Sequence, residues 1–151
     1  MSPEAAKERF AAILAVCGES AQKHGLRIAI EPLRRAESNF IHTVADACER
    51  AERSGSQAVG ALVDFFHFYM NGESDDGLLC AKGRLYHAHI ARPAPDRRVP
   101  TADDMPTLRK WAQMLSDIGY DGGLSLECAY SEDYEGDLRA AAAVLSVFRE
   151  R

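Results

Sequence analysis

The sequence predicts an α/β fold built on a parallel sheet: one N-terminal helix followed by four strand–helix units. Four short apolar runs, RIAIEP, AVGALVDFFH, LYHAHIA and GGLSLECA, recur along the chain. Segments with apolar residues at helical spacing separate them. Strands that alternate with helices pair in parallel, and AVGALV and LSLECA are apolar at nearly every position, as strands covered on both faces are.

The elements follow in order. Ser2-Pro3-Glu4 is a helix start, with a capping hydroxyl, a proline in the first turn and then an acid. Phe10, Ile13, Leu14, Cys17 and Ala21 continue it at helical spacing, and His24-Gly25 ends it. The first strand covers residues 27–32, where Pro32 stops it. After a polar loop, Ser38 or Asn39 caps a second helix with Phe40, Val44, Ala47, Cys48 and Ala51 on its buried stripe, closed by Gly55. Strand two covers roughly 58–66. NGESDDG is loop, and a short helix near 75–83 leads to strand three at 85–91. ARPAPDRRVP is a long loop. A helix at about 104–118 points Leu108, Trp111, Ala112 and Leu115 inward. GYDG turns into strand four at 123–128, and a last helix at about 133–149 carries Leu138, Ala142, Leu145 and Phe148.

The 151 residues suffice for a single domain, residues 1–151, with a real core. The apolar share of 46% and charged share of 27% are those of an ordinary globular chain, and the net charge of −5 comes without the basic stripe of a nucleic-acid binder. No apolar stretch reaches the ~20 residues of a membrane span, and the N-terminus lacks a signal-peptide pattern, so a cytoplasmic location is the default expectation. Cys17, Cys48, Cys80 and Cys128 form no CxxC pair. They are expected to be reduced and structural, with the three in helix-like segments buried.

Each apolar run ends in a residue able to bind a metal ion: Glu31, Asp64, His89 and Glu127. In a parallel strand–helix barrel the C-terminal strand ends converge on one mouth, so three carboxylates and an imidazole would meet there. A carboxylate at a dry strand end is costly unless it is paired or bound to a metal. His87 and His89 share a strand face, with His89 nearer the mouth and His87 one layer deeper. His67, just past strand two, is a candidate substrate contact. Oxygen-rich donors with one imidazole suit manganese, magnesium or cobalt. Such an ion beside two carboxylates suits proton transfer at a carbon next to a carbonyl.

With those residues placed, the chain resembles the xylose isomerase-like TIM barrels, the sugar-phosphate isomerase/epimerase superfamily. It is most like the branch of D-tagatose and D-psicose 3-epimerases. IEPLRRAESNFIHT, LVDFFHFYM, LYHAHIARPAPDRR and IGYDGGLSLE carry the likeness, in the family's order. The resemblance implies that Glu31, Asp64, His89 and Glu127 bind one divalent ion, with Mn2+ first and Mg2+ or Co2+ as alternatives. It implies that Glu31 and Glu127 form the catalytic pair of a ketose epimerase or isomerase working through an enediolate. It also implies that Glu37, His67 and Arg97 contact the sugar or sugar phosphate, with Arg98 the alternative to Arg97. A lyase or dehydratase on the same scaffold is the competing chemistry, and a non-catalytic truncated half-barrel the competing non-enzyme reading.

Family members have eight units of about 250 residues. This chain matches strands five to eight and the helix before them, a (βα)4 half-barrel. Its sheet should have two unpaired edges, and its inner face should show apolar side chains. A homodimer, or a partner chain that completes the barrel, is therefore expected.

Overall fold

The structure is a computed structural model that describes residues 2–93 and 96–149. Helix α1 (Pro3–Lys23) begins where the Ser2 hydroxyl accepts the Ala5 N–H, and it ends at His24 before Gly25, whose φ is 67°. Its covered face is Ala11, Leu14, Gly18 and Ala21. Ile13 and Cys17, expected on that face, point outward instead, together with Val16 at 71% exposure. Gly18 explains which face wins. A β-carbon there would lie 2.9 Å from Val59 Cγ2 and 2.5 Å from Ser56 Oγ, so the helix rests its glycine directly on the start of the second strand.

Strand β1 (Ile28–Ile30) is shorter than the apolar run that contains it. The second helix does not start at Ser38 or Asn39. Helix α2 (Val44–Arg53) starts at Thr43, whose hydroxyl accepts the Asp46 N–H while the Asp46 carboxylate accepts the Thr43 N–H. That reciprocal cap satisfies two donors and outcompetes the earlier serine. The Ser38 hydroxyl instead accepts the Phe40 N–H within a local turn, and Phe40 packs edge-on against Phe10 at 5.4 Å. His42, inside the span expected to be the second helix, lies in the loop and is buried, its ring Nδ1 3.1 Å from the Leu33 carbonyl.

Strand β2 (Val59–Asp64) is buried throughout and ends two residues before its expected limit; helix α3 (Phe65–Met70), not among the expected elements, starts on the next residue. The expected helix near 75–83 is a 3₁₀ segment, Asp75–Ala81, in which Ser74 accepts from Gly77 and Leu79 from Lys82. Strand β3 (Leu85–Ile90) follows, then helix α4 (Met105–Asp117), with Leu108, Trp111, Ala112 and Leu115 buried as expected. Strand β4 (Leu124–Leu126) and helix α5 (Tyr134–Leu145, capped by the Asp133 carboxylate) complete the order.

The four strands form one sheet in the order β1-β2-β3-β4, with every pairing parallel. Helices cover one face. Val59, Ala61 and Val63 meet Phe65, Leu78, Leu108, Leu115 and Trp111 there, with the Trp111 ring stacked on Phe65 at 4.6 Å. Leu108 and Leu115 are wholly buried, and each contributes about 2 kcal/mol of apolar burial. The register slips by one residue at Ala61/Leu62. Beside the slip, a β-carbon on Gly60 would sit 2.4 Å from the Arg84 carbonyl oxygen, so glycine lets the two chains approach. The other face carries Ala29, Leu62, His87 and Ser125, a smaller and more polar set than the apolar face expected; His87 Nε2 and Ser125 Oγ lie 2.8 Å apart on it. Cys48 is buried, but Cys80, like Cys17, is exposed; all four cysteines are free. No helix among the described residues is long and apolar enough to cross a membrane.

Candidate metal centre

Parallel strands in register bring the four run-ending residues into one layer. Asp64 is the last residue of β2 and pairs across the sheet with His89 of β3, which in turn pairs with Ser125 of β4. Glu31 and Glu127 follow the last residues of β1 and β4. One donor atom from each of Glu31, Asp64, His89 and Glu127 lies within 4.8 Å of all the others. His89 Nδ1 is the hub, 3.3 Å from Glu31 Oε1, 3.7 Å from Asp64 Oδ2 and 2.5 Å from Glu127 Oε2.

The set grades from closed to open. The Asp64 side chain is 1% exposed and the Glu127 side chain, on the edge strand, 47%. Asp64 Oδ1 accepts the N–H groups of Phe66 and His67 at the start of α3, which leaves Oδ2 turned toward His89. Burial pushes the Asp64 carboxyl up, but His89, Arg97 and His67 together hold it below the usual carboxylate range. The Asp64 and Glu31 carboxylates raise the His89 imidazole to about 10. His87, partly buried beside His89 with the rings 5.1 Å apart, is held below its ordinary value.

Glu31 Oε1 and His89 Nδ1 are buried without a partner of hydrogen-bond geometry. Two orphaned polar atoms that face each other are costly unless something sits between them. Donors around one divalent ion at ~2.0–2.6 Å stand up to ~4–5 Å from one another, the spacing found here. The four side chains therefore fit a divalent ion.

The remaining predicted residues lie around this cluster. Glu37 Oε2 is 3.7 Å from His67 Nε2, and Glu37 Oε1 accepts from Arg34 at 2.5 Å. His67 is buried in α3, and its Nδ1 has no partner of hydrogen-bond geometry. Arg97 donates to Asp64 Oδ2 at 2.5 Å and lies 3.1 Å from Glu127 Oε2. Arg98 points elsewhere and pairs with Asp96 at 3.3 Å. One neighbour escaped the sequence reading. The Phe66 ring lies 5.2 Å from the guanidinium carbons of both Arg34 and Arg97, and it joins the Glu37 side of the mouth to the Glu127 side. The available signal was its place two residues after Asp64, in the first turn of the following helix.

The fold and this mouth define a partial parallel strand–helix barrel with an acidic, single-imidazole cluster at its strand ends. A family model for the xylose isomerase-like TIM barrel matches residues 1–150, and the chain belongs to that family. It is 32% identical over 120 residues to a probable ketose 3-epimerase of Synechocystis, which covers 78% of this chain and 40% of that protein. It is also 32% identical over 109 residues to a D-psicose 3-epimerase of Agrobacterium fabrum, covering 68% of this chain and 35% of that protein. The chain thus spans less than half the length of these relatives. Among solved structures, a D-psicose 3-epimerase from Clostridium cellulolyticum H10 with D-tagatose superposes with a TM-score of 0.81 at 20% identity. That match covers 99% of this chain and 57% of the other, a likeness of fold.

Proposed function

We propose that the chain is the metal-binding half of a divalent-metal-dependent ketose epimerase or isomerase, a single half-barrel domain acting in the cytoplasm on a small sugar or sugar phosphate. The observation that carries this reading is the convergence of three carboxylates and one imidazole within 4.8 Å. The ketose 3-epimerase names of the relatives support the substrate class.

Glu31, Asp64, His89 and Glu127 would hold the ion, with Mn2+ favoured and Mg2+ or Co2+ as alternatives. When bound, it supplies polarisation of the substrate's carbonyl. The protein's own groups do the rest. One of the Glu31/Glu127 pair accepts the proton from the carbon beside the carbonyl, and the bonding electrons pass toward the carbonyl oxygen to give an enediolate. The other returns a proton to the opposite face, which inverts that carbon. Glu37, His67 and Arg97 take the sugar's hydroxyls, and Phe66 holds two of the surrounding arginines in place. Exclusion of water and positioning of the sugar require walls beyond this sheet, supplied by a second copy or another chain that completes the barrel.

The test is a Mn2+ titration followed by a ketose panel in deuterated water. Deuterium should enter at the carbon beside the carbonyl, with the epimer as product. A metal-loaded, barrel-complete sample that exchanges no proton with any ketose would refute the assignment.

A further inference from the structure

The geometry points to Arg97 as a tethered cation that occupies the ion's oxygens in the metal-free chain and is displaced when the ion binds. This inference rests on the metal reading of the cluster. The Arg97 guanidinium reaches across from the loop after β3. Its Nη2 donates to Asp64 Oδ2 at 2.5 Å and stands 3.1 Å from Glu127 Oε2. Those are the same two oxygens that face His89 Nδ1, at 3.7 and 2.5 Å. A divalent ion would need both of them. A guanidinium and an ion at contact distance compete for these two oxygens, because like charges repel.

Arg97 is held there under strain. Among the described residues it is the one non-glycine with positive φ, at 52°. A side chain rarely adopts that backbone conformation unless its surroundings impose it. What imposes it is visible: Arg97 Nε donates to the Glu127 carbonyl at 3.1 Å, the Arg97 carbonyl accepts from Ala129 at 2.8 Å, and the guanidinium lies over Phe66. These anchors survive loss of the carboxylate contacts. Once the ion takes Asp64 and Glu127, the forked head stays over Phe66 with its donors free and facing the mouth, where a sugar oxygen can accept them. Metal loading would then precede and enable sugar capture by this residue.

Calorimetric Mn2+ titrations of the wild type, Arg97→Met and Arg97→Lys at one ionic strength test the competition. Arg97→Met should bind Mn2+ about ten- to a hundredfold more tightly, the factor that a charge-assisted hydrogen bond corresponds to, with Arg97→Lys between the two. Equal or weaker binding by Arg97→Met would overturn the inference. A second arm needs no variant. Labelling with phenylglyoxal, followed by peptide mass spectrometry, should modify Arg97 faster in the Mn2+-loaded wild type than in the metal-free one. The exposed Arg139 should react at the same rate in both. An Arg97 rate that is unchanged or slower when loaded rejects displacement even if affinities shift. Absence of any Mn2+ binding by the wild type sinks the metal reading itself, whereas binding without these changes sinks the Arg97 inference alone.

Discussion

Each donor of the cluster is made effective by what holds it. Asp64 caps α3 with one oxygen and keeps the other for the cluster, so it is fixed in direction as well as position. Glu127, on the open side, is freer, and the work proposed for it is proton transfer. Glu127→Gln keeps the shape and removes the base, so deuterium uptake into a ketose should fall by about 10²–10⁴-fold with the circular dichroism spectrum unchanged. Retained exchange would contradict the role. His89 sets a pH dependence in the metal-free chain. Its folded pKa, about 10, lies above the ordinary 6.5. Its contribution to stability is therefore full below pH 6.5 and is lost as pH rises toward about 10. Urea midpoints measured across that window should decline for the wild type and decline less for His89→Asn. The convergence of these four side chains was legible because each ends an apolar run, where a charge is conspicuous. The Arg97 contacts and the Phe66 platform were not, since they depend on the course of a loop and on rotamers that no periodicity encodes.

At the scale of elements, the order of helices and strands was legible throughout, while their ends depended on local competition. The α2 start turned on a four-residue reciprocal cap, and Thr43→Ala should cost about 1 kcal/mol in urea unfolding. Strands β1, β2 and β4 are each three residues shorter than expected and β3 one; β2 stops where Asp64 caps α3, whereas β1 and β4 are edges. An edge strand has a ladder partner on one side only, so an apolar run can outlast its pairing. Helix α1 offered two adjacent apolar stripes, and the Gly18 contact with Val59 and Ser56 decided between them. Filling that contact with Gly18→Leu should destabilise the chain by about 1–3 kcal/mol, seen as a lower urea midpoint without loss of helix content at zero denaturant.

For the molecule as a whole, the two terminal strands of the sheet govern behaviour. Among the described residues each has one neighbour, and the outward-facing Ile13 and Val16 lie on the helix that precedes β1. Because Ile28 donates to Ala58 on the β2 side, alternation turns the Ala29 N–H toward the open edge. Under the proposed closure, Ala29→Pro should lower the mass seen by light scattering from that of a closed assembly to that of one chain, while leaving the β1–β2 ladder in place. An assembly unaffected by this change would place the contact elsewhere. The parallel β-α order made such edges foreseeable, but the small and polar inner face was not foreseen, because strand alternation tells which residues share a face without telling how large they are.

All four members of the charged cluster come from consecutive units of one polypeptide, and none has to be borrowed. Under the proposed function, the proton-transfer pair and the sugar contacts Glu37, His67 and Arg97 then sit at the rim of one sheet, and only the remaining walls come from elsewhere. On that reading, whatever closes the two sheet edges would add walls to the sugar site and could alter which sugar is accepted, while the four converging side chains stay on this sheet.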